Sequence, residues 1–490
     1  MSLVIDKNDT NYINFNLQST DKYLLTTAYA NSFRRILLTS IKRLGFKYIP
    51  YKHTDNYIVI NENTSTTIHN DKLSKRLSLL TINTTSIKFL ILLYLIKENL
   101  LPENIDLKNI KTYLKIYNIQ KYLDKVKFKI NVSNTSKEPK FVNTDIIDIY
   151  LDDVNLVNFD ISILTEQHYK LFEYFDMTSL MEILRNNEME RFIENLRNIV
   201  FNHMELTNFK INDTIFKSKF YPKLITELNH NDKLVVEMVL SYGVASDDVT
   251  WDVLSTISYN FEKDYELINY NLKEMTKDIN NKLKEYNYKT TRWDNPEQFV
   301  ITNELINNRN EIQDLELRKL IKEKDLIIQR YNIHDSYRVY KKNDKNIPVQ
   351  FNFEYKYEGI LNNKKVLYKG FKELNKQIIN FKNLFKNINH TPYQDEHIQT
   401  MYSDILEDAV DIYITKSTHT IMNLINDYLY YLIVNKNTTY YVAYMRTHKL
   451  SDKYLLRVIC NNYKEDIIKI CDYLIELTNK LITNKLITNI

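Results

Sequence analysis

Two cysteines in 490 residues, Cys460 and Cys471, exclude a disulfide framework and a cysteine-rich zinc site, because no CxxC pair exists to found either. A reducing compartment is the expectation. Glycine is nearly as scarce. Gly45, Gly243, Gly359 and Gly370 are the whole supply, so no GxxxxGK or GxGxxG loop can bring backbone close to phosphate. Long apolar runs are missing too: the richest, Phe89 to Ile96, is eight residues closed by Lys88 and Lys97, well short of the roughly 20 that cross a bilayer. It reads as a buried core helix, and no membrane role is expected. The opening MSLVIDKNDTNY lacks a basic stretch, an apolar run and a small-residue cleavage site, which points to an intracellular protein. Neither sign of charge dominates: 66 basic against 62 acidic residues leave a net +4, too weak a field for wrapping a phosphate backbone.

Catalytic constellations are equally sparse. There is no HExxH, and the ten histidines, His69, His203, His230 and His419 among them, have no histidine or cysteine companion three or four residues on. Magnesium-dependent polymerisation needs three aspartates close together, whereas Asp152 with Asp153 and Asp247 with Asp248 are only pairs and read as solvated turns. Cys471 lies on an apolar helical stripe and reads as a small core residue. The expectation is therefore no catalytic residue, no metal, no cofactor and no small-molecule ligand.

What the chain does have is 38 tyrosines and an abundance of Asn, Ile and Lys, the residue usage of an AT-rich genome. Tyr57 to Ile60 and Phe128 to Val132 alternate as strands, while Phe33, Ile36, Leu37, Ile41 and Leu44 recur at helical spacing. Strands and helices are thus interspersed, an α+β pattern. From Glu262 to about Arg338 the chain becomes charged and Asn/Lys/Glu-rich, as solvated amphipathic helices do. Asn387 to Asp404 is polar, carries Pro392 and reads as a linker. Beyond it come a strand (Asp411 to Thr415), a helix striped by Ile421, Leu424, Ile425 and Tyr428, and strands Tyr440 to Met445 and Tyr454 to Cys460. A last helix follows, striped by Ile467, Ile470, Cys471, Leu474 and Leu477. Two helices can cover only one face of such a sheet, so each keeps an apolar edge for a partner.

Ala30 to Ile41, ANSFRRILLTSI, places Arg34 and Arg35 side by side on an otherwise apolar helix. By physics alone this pair reads as a solvated basic edge. The string nevertheless resembles the signature helix of the alpha-type RNA polymerase subunits: the bacterial alpha N-terminal domain, the archaeal D subunit and the third-largest subunit of eukaryotic RNA polymerase II. Further similar segments follow in the family's order: Asn63 to Ile82, with Arg76 and Leu77 and with Ser78 and Thr81 where the family has Gly and Pro; Phe128 to Ile149; Ile225 to Tyr259 around Trp251; and Phe351 to Phe381. Lys416 to Leu432 with Tyr440 to Cys460 resembles the smaller partner, the eleventh subunit or archaeal L, with Met422 and Thr447 replacing its Gly and Pro. Together these pieces cover somewhat over half the chain.

The resemblance implies two alpha-like dimerisation units, each a mixed sheet with helices on one face, forming an intramolecular pseudo-dimer with an inserted β-rich domain and helical insertions. The expected layout is a discontinuous third-subunit-like domain (10–60 and 345–386), an insert domain (61–262), a charged helical insertion (263–344), a linker (387–408) and an eleventh-subunit-like domain (409–485). It implies that Asn31, Arg34, Arg35 and Arg76 dock a large catalytic subunit. The pseudo-dimer interface would comprise Phe33, Ile36, Leu37, Phe371, Leu374, Ile378, Ile421, Leu424, Ile425, Tyr428, Ile470 and Leu474. No cysteine precedes Cys460, so the zinc or iron–sulfur cluster of many third-subunit relatives has no ligands here.

The function implied is a non-catalytic platform of a DNA-directed RNA polymerase. Its partners would be the two largest subunits and other polymerase subunits, with DNA met only through the complex. Such fusions occur in large DNA viruses of eukaryotes, which the AT-rich usage fits; that source implies the host cytoplasm and the virion, and any other the nucleus. The alternative is a helical structural or interaction protein, for example of a virion, with no polymerase role. A third reading, nucleic-acid binding through 266–345, predicts steep salt dependence, and the mixed charge stands against it. The stretches 87–123, 166–206 and 263–344 match nothing in the family and read as filler or as contacts to further subunits.

Overall fold

The computed structural model describes residues 2–8, 12–20, 22–48, 57–65, 67–100, 119–165, 168–169, 173, 175, 177–186, 188–201, 204–206, 210–211, 214–215, 219–285, 315–344, 346–357, 363–388, 390–415, 417–434 and 440–484. The fold is mixed α+β with antiparallel sheets, in two compact units. The first comprises Met1–Ile36, Thr256–Lys356 and Asn363–Ile490; the second comprises Leu37–Ser255 and Tyr357–Asn362. Elements are numbered along the chain.

In the first unit, strands β1 (Ser2–Asn8), β2 (Tyr12–Gln18), β16 (Gln350–Tyr357) and β15 (Leu254–Phe261) form one sheet in that order. Alternation sets its buried face: Ile13, Phe15 and Leu17 pair with Tyr355, Phe353 and Phe351, and all six are buried. Helix α1 (Thr27–Thr39) lies over this face, with Phe33 edge-on to Phe15 and Phe353 at centroid distances of 6.4 and 6.0 Å. A second, five-stranded antiparallel sheet runs β17 (Tyr393–Gln394), β18 (Ile398–Tyr402), β19 (Val410–Ile414), β21 (Tyr454–Ile459), β20 (Tyr441–Arg446). Helices α9 (Asn363–Phe385), α10 (His419–Leu432) and α11 (Tyr463–Ile482) complete the layer. In the middle of that sheet Arg457 grips Asp411 with two parallel bonds of 2.6 and 2.7 Å, satisfying a carboxylate that is almost wholly buried.

Helices α6 (Tyr265–Met275), α7 (Lys277–Glu285) and α8 (Leu315–His334) occupy the charged stretch, with a small core of Ile268, Leu272, Ile328 and Tyr331.

The second unit is built on β14 (Lys233–Gly243), an eleven-residue strand long enough to pair with three neighbours, β3 (Arg43–Phe46), β4 (Ile58–Asn63) and β5 (Val126–Ser133). The sheet continues through β7 (Asp148–Leu151) to β8 (Val154–Asn155). β13 (Leu224–Leu228) pairs with β6 (Lys140–Asn143), and β9 (Met204–Leu206), β10 (Lys210–Ile211), β11 (Thr214–Ile215) and β12 (Lys219–Tyr221) form small hairpin pairs. Helices α2 (Asn70–Ser78), α3 (Thr84–Lys97), α4 (Thr178–Arg185) and α5 (Met189–Val200) contribute to one large apolar core. Every residue from Phe89 to Ile96 is buried, which accounts for a helix with no polar face at that point.

Three expectations shift. The helical spacing from Phe33 to Leu44 is two elements: α1 ends at Thr39 and Leu44 is on β3, where pairing with Tyr242 of β14 outweighs the local periodicity. Residues 37–60, expected in the discontinuous domain, belong to the second unit, because β3 and β4 pair with β14. Residues 387–408 are not a tether: they contain β17 and β18, and β18 pairs with β19 through five residues.

Candidate assembly interface

Helix α1 begins where the Thr26 hydroxyl accepts a hydrogen bond from the Tyr29 amide, and the Thr26 carbonyl accepts from the Ala30 amide. From there its sequence sorts by angle. Tyr29, Ala30, Ser32, Phe33, Ile36 and Leu37 are buried, Asn31 and Arg34 half-buried, Arg35 exposed. The Arg34 guanidinium donates through Nε and Nη2 to Asn31 Oδ1 at 3.2 and 2.9 Å, one turn back. This brace restricts the Arg34 side chain to one orientation. Arg35 approaches Tyr444 closely enough for its charge to oppose the burial that raises the phenol. Arg76 belongs to the second unit, where it donates to the Ile225 carbonyl at 2.7 Å.

The apolar residues expected at the interface are all buried. Phe33 stacks face to face on Phe371 of α9, centroids 4.0 Å apart and planes 8° from parallel. Helix α9 lies along α11, and polar clips mark the seam: Asn375 Nδ2 donates to Asn479 Oδ1 at 2.7 Å and Lys382 meets Asp472 at 2.5 Å. Between α1 and the C-terminal helices, Ser32 Oγ donates to the Thr420 carbonyl at 3.2 Å, and Tyr29 Oη and Thr478 Oγ1 are 3.4 Å apart. Burial pushes the Tyr29 phenol well up, so it stays a neutral hydrogen-bonding group. Just ahead of α1, Tyr428 donates to the Leu24 carbonyl at 2.8 Å, the Leu24 amide donates to Tyr473 Oη at 2.6 Å, and Tyr23 donates to Glu476 Oε1 at 2.5 Å. Hydrogen bonds from Tyr23 and Lys22 hold the Glu476 carboxyl below the usual carboxylate range.

Of these tyrosines Tyr428 is read from the sequence as an interface residue, whereas Tyr23, Tyr29 and Tyr473 are not. With 38 tyrosines in the chain, nothing marks Tyr23, Tyr29 or Tyr473 as special; only the fold does. The residues at which the sequence departs from the resemblance have their own local contacts. Met422 is fully buried on α10, and Thr447 closes the β20–β21 hairpin through its amide and hydroxyl, both bonded to the Lys453 carbonyl at 3.1 and 3.0 Å. The Ser78 hydroxyl returns to the Lys75 carbonyl at 2.7 Å, and Thr81 accepts from Lys223. Burial pushes the Cys471 thiol up to about 12, so it is not a nucleophile at neutral pH. Among the described residues no three His, Cys, Asp or Glu side chains converge as a metal cage requires.

One group in the seam is under electrostatic stress. Burial holds the Asp427 carboxyl above the usual range, with the Thr26 hydroxyl offsetting part of the rise, and its Oδ2 reaches neither solvent nor a partner. A carboxyl whose folded-state pKa exceeds its unfolded one carries no penalty below the unfolded value of about 3.8 and the full penalty above the folded value. Asp427→Asn is therefore expected to raise the melting temperature at neutral pH. That gain should shrink as the melts are repeated toward pH 4; a gain independent of pH would refute the assignment.

No known family model matches the sequence, and no curated protein does.

Proposed function

We propose that this chain is the non-catalytic platform subunit of a DNA-directed RNA polymerase, in which two alpha-like halves pair within one polypeptide and dock the large catalytic subunits during assembly. The observation that carries the reading is the shared packing of helices from opposite ends of the chain. Phe33 of α1 stacks on Phe371 of α9, while the neighbouring Ser32 bonds to Thr420 of α10 and Tyr29 meets Thr478 of α11. The docking surface in this reading is the outward edge of α1, where Asn31 holds Arg34 and Arg35 is exposed. Arg76, in the second unit, is proposed as a docking residue in its own right, through the donors left by its bond to the Ile225 carbonyl. The partners are the two largest subunits and further polymerase subunits, DNA is met through the complex, and the compartment is that of the assembled polymerase.

Arg34→Ala with Arg35→Ala tests this. Losing one charge-assisted hydrogen bond from each arginine, at about 1.5–3 kcal/mol apiece, should weaken retention of the two largest subunits by about two to four orders of magnitude. The melting temperature of the isolated chain should hardly move. Undiminished co-purification at moderate salt would overturn the docking role.

A further inference from the structure

The helical stretch 263–344 reads from sequence as filler or as contacts to further subunits, and among its described residues the outer face of α8 carries exposed apolar side chains. The inner stripe of α8 supplies Ile328 and Tyr331 to the small helical core. On the opposite side of the same helix Leu326 and Ile333, two turns apart, are 55% and 66% exposed, and Tyr337 just beyond the helix is 67% exposed. A surface helix ordinarily keeps one apolar stripe and a polar back; this one also exposes Leu326 and Ile333 on its back, with Gln329 and Arg330 between them. Exposed apolar side chains scattered singly need no explanation, whereas a stripe aligned on one helix face does.

The charges beside that stripe are lopsided. Within about 60° of Leu326 on the helical wheel lie Lys319, Lys322 and Arg330, all exposed, against the single carboxylate of Glu323. None of these four is in an ion pair among the described residues, and all four are exposed around Leu326. Nucleic acid would use the cations but leave Leu326 and Ile333 wet. An apolar stripe flanked by cations is instead the complement of an amphipathic helix with acidic flanks, laid in helix-on-helix contact.

We propose that the outer face of α8 is a docking site for an acidic amphipathic helix of a partner protein. The inference is independent of the polymerase reading, since it uses none of the residues of the α1 surface, and either can fail without the other.

The test uses the full chain and a fluorescent synthetic helix of about three heptads with Leu at a and d and Glu at the flanking positions. The same helix with Lys flanks is the control. The acidic helix is expected to bind with salt-weakened affinity and the basic one not to bind. Leu326→Ser with Ile333→Ser, both at exposed positions and so harmless to the fold, should weaken binding by about tenfold or more. Charge reversal by Lys319→Glu, Lys322→Glu and Arg330→Glu should transfer the preference to the Lys-flanked helix. Four outcomes would overturn the proposal: no binding by the acidic helix, unchanged affinity in the Ser variant, stronger competition by a thymidine oligonucleotide or by phosphatidylserine vesicles than by unlabelled acidic helix, or a concentration-dependent dimer that Leu326→Ser with Ile333→Ser abolishes.

Discussion

Leu424→Asp is expected to unfold the C-terminal half of the first unit. Leu424 is fully buried on α10, in the same apolar seam as Ile421, Ile425 and Tyr428. Removing the leucine alone costs about 2–5 kcal/mol, and burying a carboxylate with no cation to meet it adds several more. The sum is comparable to the whole stability of an ordinary domain, about 5–15 kcal/mol. Hydrogen exchange is the discriminating measurement, because it reads each helix separately. Amides of α9, α10 and α11 should lose protection together, since these three helices share the seam. Leu424→Ala, which leaves a cavity but no charge, should retain protection at a lower melting temperature. If Leu424→Asp exchanged like the parent chain, α10 would not occupy the interior position described.

The second large effect is expected at Gly243. A Cβ built there would sit 2.2 Å from Cε2 of Trp251 and 2.3 Å from Cδ2, which no packing tolerates. The Trp251 indole lies against backbone of both β14 and β3, where Gly45 leaves a looser 3.1 Å to Cζ3. Gly243→Val must therefore expel a nearly buried indole, at about 3–5 kcal/mol if its packing is lost as in a truncation to alanine. Gly45→Ala should cost far less, because a few tenths of an ångström of ring movement suffices. Tryptophan emission in a Trp293→Phe background isolates the signal: it should shift to the red in Gly243→Val and stay put in Gly45→Ala. Equal emission maxima in the two variants would show that the indole does not rest on Gly243.

How far these features were legible in advance depends on whether their cause is local. Ile421, Leu424, Ile425 and Tyr428 announce a helix because one repeat of 3.6 residues places them on one face, and the structure has that helix from His419 to Leu432. The apolar run from Phe89 to Ile96 announced a buried helix for the same reason. The end of α1 was not legible: Ile41 and Leu44 keep the helical rhythm by coincidence, and the decision is made by β14, almost two hundred residues away. Nor was β18. Its residues Ile398 to Tyr402 are short and half polar, and only pairing with β19 makes them a strand. At the candidate interface the apolar members were readable as stripes, whereas the tyrosine clips and the Asn31 brace on Arg34 depend on three-dimensional proximity that periodicity does not encode.

The Ser32 hydroxyl reaches its acceptor, the Thr420 carbonyl, at a residue 388 positions further along the sequence. At about 5–20 residues per second on the ribosome, α1 emerges roughly 20–80 s before the helix that will cover it has been made. For that whole interval the nascent chain displays a finished but unburied apolar surface. Its yield in a cell should therefore depend on chaperone capacity during synthesis more steeply than the stability of the completed protein would suggest.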